Sequence, residues 1–218
     1  MNVYFISGLG ADKRVFSQLR IDSRFTVHHI EWISPERNET LSQYAHRLAA
    51  QVDTTQPFQL VGLSFGGVMA SELADIIHPD QIIIISSTPV GIPVSAFYRG
   101  LLHFLLLSPF SAPILKSSNR MTYKYFGANT PELKALLKTI LHDTDSHFLK
   151  WALKRMSSWE RRQKVPGVFH IHGTSDRLIA PRLVQPDVWI EDGGHLMIYD
   201  EAAEISGILN RQLSTRLH

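Results

Sequence analysis

The stretch Phe58-Gln59-Leu60-Val61-Gly62-Leu63-Ser64-Phe65-Gly66-Gly67-Val68-Met69-Ala70-Ser71-Glu72-Leu73-Ala74 decides how this chain is read. Its first four residues are an apolar run of strand length, and its last seven repeat apolar groups at helical spacing. Between them lies G-x-S-x-G. A serine on a strand-to-helix turn is held in a strained backbone with its hydroxyl thrust outward. Gly62 and Gly66 let strand and helix close around the bend. The new helix turns its free N–H groups and positive dipole end toward whatever Ser64 attacks. By chance alone the five-residue pattern arises in roughly one chain of this length in fifteen. The motif therefore needs its flanking strand and helix, and the rest of the chain, to carry weight. The plain alternative is a glycine-rich turn whose serine caps the helix.

Outward from that turn, short apolar runs alternate with helical patterns. Val3-Tyr4-Phe5-Ile6 predicts a buried first strand, followed by the loop Ser7-Gly8-Leu9-Gly10 and a helix over 13–19 capped by Asp12. A second strand is expected over 25–32 and a helix over 40–52, with Leu41, Tyr44, Ala45, Leu48 and Val52 at helical spacing. Gln81-Ile82-Ile83-Ile84-Ile85-Ser86 is apolar at consecutive positions, as a strand covered on both faces is. Strands resume at 168–172 and 188–190, and a last helix is expected over 201–212. The alternation predicts an α/β fold with a parallel sheet and right-handed crossovers.

Residues 90–166 differ in character. Strand patterns vanish, and helical runs fall near 94–107, 131–141 and 145–157. The segment holds too many large apolar groups to be a solvated linker, so it reads as a helical insertion. The expected organisation is a core of 1–89 and 167–218 with a helical cap of 90–166.

Composition narrows the function. The 218 residues are 44% hydrophobic, enough for one sizeable core. A net charge of +2, from 22 basic and 20 acidic residues, does not point to nucleic acid. The absence of cysteine excludes disulfides, thiolate catalysis and sulfur-ligated metal. No metal-ligand cluster or phosphate-binding glycine loop is present, so nucleotide and metal enzymes rank low. The N-terminus reads as a strand and not a signal peptide, and the apolar run 101–107 is too short to span a bilayer. The expectation is a cytoplasmic protein with no membrane span and a small-molecule substrate as its partner.

In parallel α/β sheets, reacting groups gather where the strands end. That rule selects the loop Gly8-Leu9-Gly10, Ser64, the loop Gly173-Thr174-Ser175-Asp176 and the loop Asp192-Gly193-Gly194-His195. A serine hydroxyl needs a base, and an imidazole needs a carboxylate to fix its tautomer. His195 follows the last strand and is the base candidate among 11 histidines. Asp176 is favoured as its partner over Asp187 and over Asp192, which shapes a glycine turn. His170 and His172 are expected to pack or hydrogen-bond locally.

With Ser7-Gly8-Leu9-Gly10, Gly62–Gly67, His172–Asp176 and Gly193-Gly194-His195 on the page, the chain resembles the alpha/beta-hydrolase family, whose triad runs in the order Ser, Asp, His. The resemblance implies catalytic Ser64, Asp176 and His195. It implies oxyanion donors in the backbone N–H groups of Leu9 and Phe65. It also implies a small form of the fold lacking two leading strands, with about six parallel strands in the order 2-1-3-4-5-6 and a lid inserted after the fourth. The family needs no cofactor. Relatives often have a histidine where this chain has Ser7, which leaves open how the oxyanion loop is braced. Phe97, Leu101, Phe104 and Trp151 are the expected substrate-binding residues of the lid. The expected activity is hydrolysis of a small hydrophobic ester or thioester through an acyl-enzyme. The alternatives are C–C bond or lactone hydrolysis or lyase chemistry with the same triad, and a silent small-molecule binding protein.

Overall fold

A computed structural model describes residues 1–92, 96–108 and 111–217. Six strands form one wholly parallel sheet: β1 (Asn2–Ile6), β2 (Thr26–Ile30), β3 (Phe58–Leu63), β4 (Gln81–Ile85), β5 (Phe169–Gly173) and β6 (Val188–Ile190). Their order across the sheet is β2-β1-β3-β4-β5-β6, as expected. The register brings the strand ends together on one edge. Ile6 pairs with Gly62, Leu63 with Ile85, Ile85 with Ile171, and Gly173 with Ile190.

The two faces are covered separately. Tyr4, Ile6, Leu60, Ile82 and Ile84 pack under α1 (Leu41–Leu48) and α2 (Phe65–Ile77). Phe5, Val61, Leu63, Ile83 and Ile85 face the opposite way, onto Val15, Phe16 and the C-terminal helix (Ala202–Ser214). This explains the consecutive isoleucines of β4. Each is at most 3% exposed, and burying each side chain contributes roughly 2–3 kcal/mol before entropy is counted.

The ends of the helices follow local chemistry. Thr40 and Gln43 form a reciprocal capping box at the start of α1. Left-handed His78 ends α2 just before Pro79. The expected helix over 13–19 is a tighter turn, with i→i+3 bonds from Ser17 to Arg14 and from Leu19 to Phe16. The expected helix over 40–52 is α at Leu41–Leu48 and 3-10 at Ala49–Gln51.

Among the described residues five helices lie between β4 and β5: α3 (Ala96–Leu107), α4 (Ser111–Leu115), α5 (Arg120–Phe126), α6 (Pro131–Asp143) and α7 (Ser146–Ser157). The short α4 and α5 were not read from the sequence. In α5, Met121, Tyr123 and Tyr125 fall at every second position and hide the helical period. Asn119 caps its start, accepting from the amides of Met121 and Thr122. The insertion straddles the sheet edge. Leu133, Leu137 and Ile140 of α6 join the cluster on one side, and Phe148 and Trp151 of α7 join the other. After β6 come α8 (Met197–Asp200) and α9 (Ala202–Ser214). Among the described residues no helix is long and apolar enough to cross a membrane.

His170 is buried in β5, with the His172 ring 5.3 Å away. Burial, reinforced by His172, pushes its pKa down to about 3. The folded protein holds this ring neutral, whereas the unfolded chain protonates it near 6.5. Its contribution to stability is therefore complete above pH 6.5 and falls as the pH drops from 6.5 toward 3. Urea unfolding at pH 7.5 and pH 5 checks this. His170→Leu should lose less stability over that interval than the parent protein, and an equal loss would refute the assignment.

Candidate active site

Ser64 sits between β3 and α2 at φ 52 and ψ −117, a conformation that favours glycine. Such strain costs on the order of 1–3 kcal/mol and persists only where the surroundings impose it. Here the Ser64 N–H donates to the Ile85 carbonyl (2.8 Å), and the Ser87 hydroxyl donates to the Ser64 carbonyl (2.7 Å). The bend also requires close backbone contact. A Cβ on Gly62 would lie 2.4 Å from the Gly66 oxygen, and one on Gly66 would lie 2.1 Å from the Ile6 oxygen. The Ser64 side chain makes no capping bond to α2. It turns instead to His195, with 2.9 Å between Oγ and Nε2.

His195 lies in the loop after β6, 131 positions along the chain from Ser64. Its Nδ1 is 2.8 Å from Asp176 Oδ2. A carboxylate oxygen only accepts, so Nδ1 carries the proton and Nε2 is left to accept from the serine hydroxyl. Asp176 is 2% exposed. Its other oxygen accepts from the amides of Leu178 and Ile179, both at 2.9 Å. Burial works to raise its pKa, but the His195 hydrogen bond and nearby charge, aided by the Ile179 amide, hold it below the usual carboxylate range.

The loops that carry these groups are tied to one another. Thr174 N–H donates to Ile190 O, Ser175 N–H to Gly193 O, and Asp192 N–H to the Thr174 hydroxyl. His172 is fully buried, and its Nε2 lies 2.9 Å from the Ile179 carbonyl and 3.6 Å from Asp176 Oδ2. The carbonyl accepts, so Nε2 carries the proton and braces the loop that holds Asp176. Burial pushes the His172 pKa down, so the ring is neutral near pH 7. The rival acids lie elsewhere. Asp187 accepts from the His170 amide, and Asp192 is exposed at a left-handed turn.

Ser7 stands where relatives often have histidine. Its hydroxyl donates to Ala11 O (2.9 Å), while Ala11 N–H donates to Gly8 O (3.1 Å). These two bonds close the Gly8-Leu9-Gly10 loop beside the serine, where a Cβ on Gly8 would meet Ser64 Cβ at 3.3 Å.

The model of the alpha/beta hydrolase family matches residues 3–207. The chain belongs to the alpha/beta hydrolase family. Solved hydrolases share its fold at low identity. The esterase of Exiguobacterium antarcticum is 16% identical, with 98% of this chain and 92% of that one covered and a TM-score of 0.78. A bromoperoxidase from Bacillus anthracis is 15% identical over 98% of this chain and 91% of that one, at a TM-score of 0.74. A thermophilic esterase from Thermogutta terrifontis is 16% identical over 99% and 90%, at 0.71. No curated protein matches.

In this hydrolase the cavity at Ser64 and His195 is lined almost wholly by carbon: Leu9, Val15, Phe126, Leu136, Leu137 and Ile140 among others. Its volume is only about 20 Å³, room for about one water. A more open cleft of about 200 Å³ lined by Trp32, Asp143 and Phe148 shares only Ala11 with it.

Of the lid residues expected from the sequence, Leu101, Phe104 and Trp151 do not line this cavity. Leu101 and Phe104 point outward and are exposed, and the Phe97 side chain lies outside the described residues. Trp151 packs 4.5 Å from Tyr44 and donates to the Glu39 carbonyl, so it joins the lid to α1. The lining comes from α5 and α6 instead. Phe126 stands edge-on to His195 at 5.9 Å, and its carbonyl accepts from Leu196 N–H. Left-handed Gly127 then lies against Gly194, where a Cβ would come within 2.9 Å of the Gly194 Cα. This packing joins the lid to the His195 loop. The apolar face of α6 (Leu133, Leu136, Leu137, Ile140) was the legible sign of a lining helix. Only the fold says what it faces.

Proposed function

We propose that this alpha/beta hydrolase is a serine hydrolase that cleaves a small hydrophobic carboxylic ester or thioester through an acyl-enzyme. The observation that carries the reading is the unbroken chain Asp176–His195–Ser64, with links of 2.8 and 2.9 Å, opening into a carbon-lined cavity. His195 Nε2 takes the Ser64 proton as Oγ attacks the acyl carbon. Asp176 stabilises the resulting imidazolium and holds its tautomer. The tetrahedral oxyanion is received by the amides of Phe65, at the start of α2, and of Leu9. His195 then returns the proton to the departing alcohol or thiol. Water repeats the sequence on the acyl-enzyme and releases the acid.

Residues 90–166 act as the cap over this chemistry. The cavity is too small for an acyl chain as it stands, so substrate enters when α5 and α6 shift outward. Among the described residues the lining offers an acyl group no carboxylate, lysine or arginine, which favours short uncharged chains. Leu136 lines the cavity and is only partly buried, so its truncation should leave the fold intact. In Leu136→Ala the ratio of kcat/KM for long over short p-nitrophenyl acyl esters should rise about tenfold. An unchanged ratio would remove α6 from the acyl site.

A fluorophosphonate probe tests the reading as a whole. One adduct on Ser64, located by peptide mass spectrometry and blocked in His195→Ala, is the expected result. A protein that resists the probe, or is labelled elsewhere, is not a serine hydrolase of this design.

A further inference from the structure

Charge is divided unevenly along the chain. Residues 90–166 hold twelve Lys and Arg against four Asp and Glu, while the remainder holds ten against sixteen. A near-neutral protein thus consists of a strongly basic cap on an acidic core. Exposed carbon is divided the same way. Among the described residues, eight of the twelve exposed large hydrophobic side chains belong to the cap, including Phe104 (72%), Leu107 (83%), Ile114 (70%) and Met121 (67%).

The two features occur together. Leu106 and Leu107 of α3 line an open groove of about 490 Å³ with Lys150, Lys154 and Arg155 of α7. On α5, exposed Met121 and Tyr125 alternate with exposed Arg120 and Lys124. Two of the cap's four acids are engaged away from these cations. Asp143 is bonded to Arg14 of the core, and Asp145 caps α7. Arg161 belongs to a different contact, with Glu72 and Asp75 of α2.

We propose that the cap is a docking surface for an anionic lipid bilayer. Carbon that is exposed and contiguous with cations is the combination an interfacial element needs: apolar side chains enter the acyl boundary while Lys and Arg stay at the headgroups. Nucleic-acid bases stack on aromatic rings, but they give the exposed aliphatic Leu107, Ile114 and Met121 nothing to enter. Docking would also bring an apolar ester close to its cavity. The helix that presents Met121 and Tyr125 outward ends in Phe126, which lines the cavity beside His195.

The test is sedimentation of the full chain with phosphatidylcholine vesicles, with and without phosphatidylglycerol. The expected result is binding that requires phosphatidylglycerol and weakens strongly between about 0.05 and 0.5 M salt. The double variant Lys124→Gln/Lys154→Gln should bind about 30-fold more weakly, since each cation near the surface is worth about fivefold. Phe104→Ser/Leu107→Ser should also bind more weakly, with its charge intact. All four side chains are exposed, and circular dichroism checks that the variants fold. Ser64→Ala should bind as the parent does, so docking is measured independently of catalysis. Absence of binding to anionic vesicles at low salt, or binding that neither double variant alters, overturns the proposal. So does a concentration-dependent dimer abolished by these same substitutions, which would give the face to a second copy of the chain.

Discussion

Ser64→Ala should lose about four to six orders of magnitude in kcat on a short acyl ester, with KM changed by less than about threefold. On the proposed mechanism the substitution removes the one atom that attacks. It leaves the bend intact, because that is set by the Ser64 amide on Ile85, by Ser87 on the Ser64 carbonyl and by the Gly62–Gly66 contact. The cavity lining and the amides of Leu9 and Phe65 also remain, so substrate binding should survive while the acyl-enzyme cannot form. Residual turnover would reflect water activated by His195 in a preset site. The same protein should give no fluorophosphonate adduct and should melt at nearly the parental temperature. Turnover within tenfold of the parent would mean that the Ser64–His195 contact has no catalytic role.

Asp176→Asn should lower kcat by about 10³–10⁴ at neutral pH with little change in fold. The two backbone bonds to Oδ1, from Leu178 and Ile179, can form with an amide oxygen as well as with a carboxylate. The amide NH₂ would then face His195 Nδ1 across the present 2.8 Å contact. A donor there demands an unprotonated Nδ1, which moves the proton to Nε2 and leaves nothing to accept from Ser64. The variant also bears on stability. The folded carboxyl titrates below its unfolded value because of the His195 hydrogen bond and charge, which overcome burial. Its contribution is therefore present above about pH 4 and is lost as the pH falls through the lower folded value. Urea midpoints between pH 5 and pH 3 should decline less steeply in Asp176→Asn than in the parent. Identical slopes, or near-parental kcat, would detach Asp176 from both roles.

How much was legible depends on the range of the interaction concerned. The strands were readable because burial on both faces leaves an uninterrupted apolar run, as in Ile82–Ile85. The strand-end rule then selects Ser64, Asp176 and His195 for one edge from the sequence alone. The helix expected over 13–19 came out as a 3-10 turn because its pattern covers too few residues to separate the two periods. The misplaced lid residues show the stronger limit. Leu101, Phe104 and Trp151 are the large apolar groups that a cavity would use, and the sequence marks them no differently from Leu136 or Ile140. Orientation separates them. Trp151 faces Tyr44, Phe104 faces solvent and Ile140 lines the cavity at the serine.

By itself, then, the order of residues determined the alternation of strand and helix, the parallel sheet, the bend at Ser64 and the charge imbalance between cap and core. Each of these arises from neighbours within a few positions, or from composition summed over a segment. Only the tertiary structure decided that Nε2 of His195 lies 2.9 Å from a hydroxyl 131 positions away, and that α5 and α6 wall the cavity while Trp151 of α7 packs on Tyr44. Those outcomes depend on how packed elements settle against one another. A contact between distant segments is set by the shape of everything between them, and local pattern does not encode that shape.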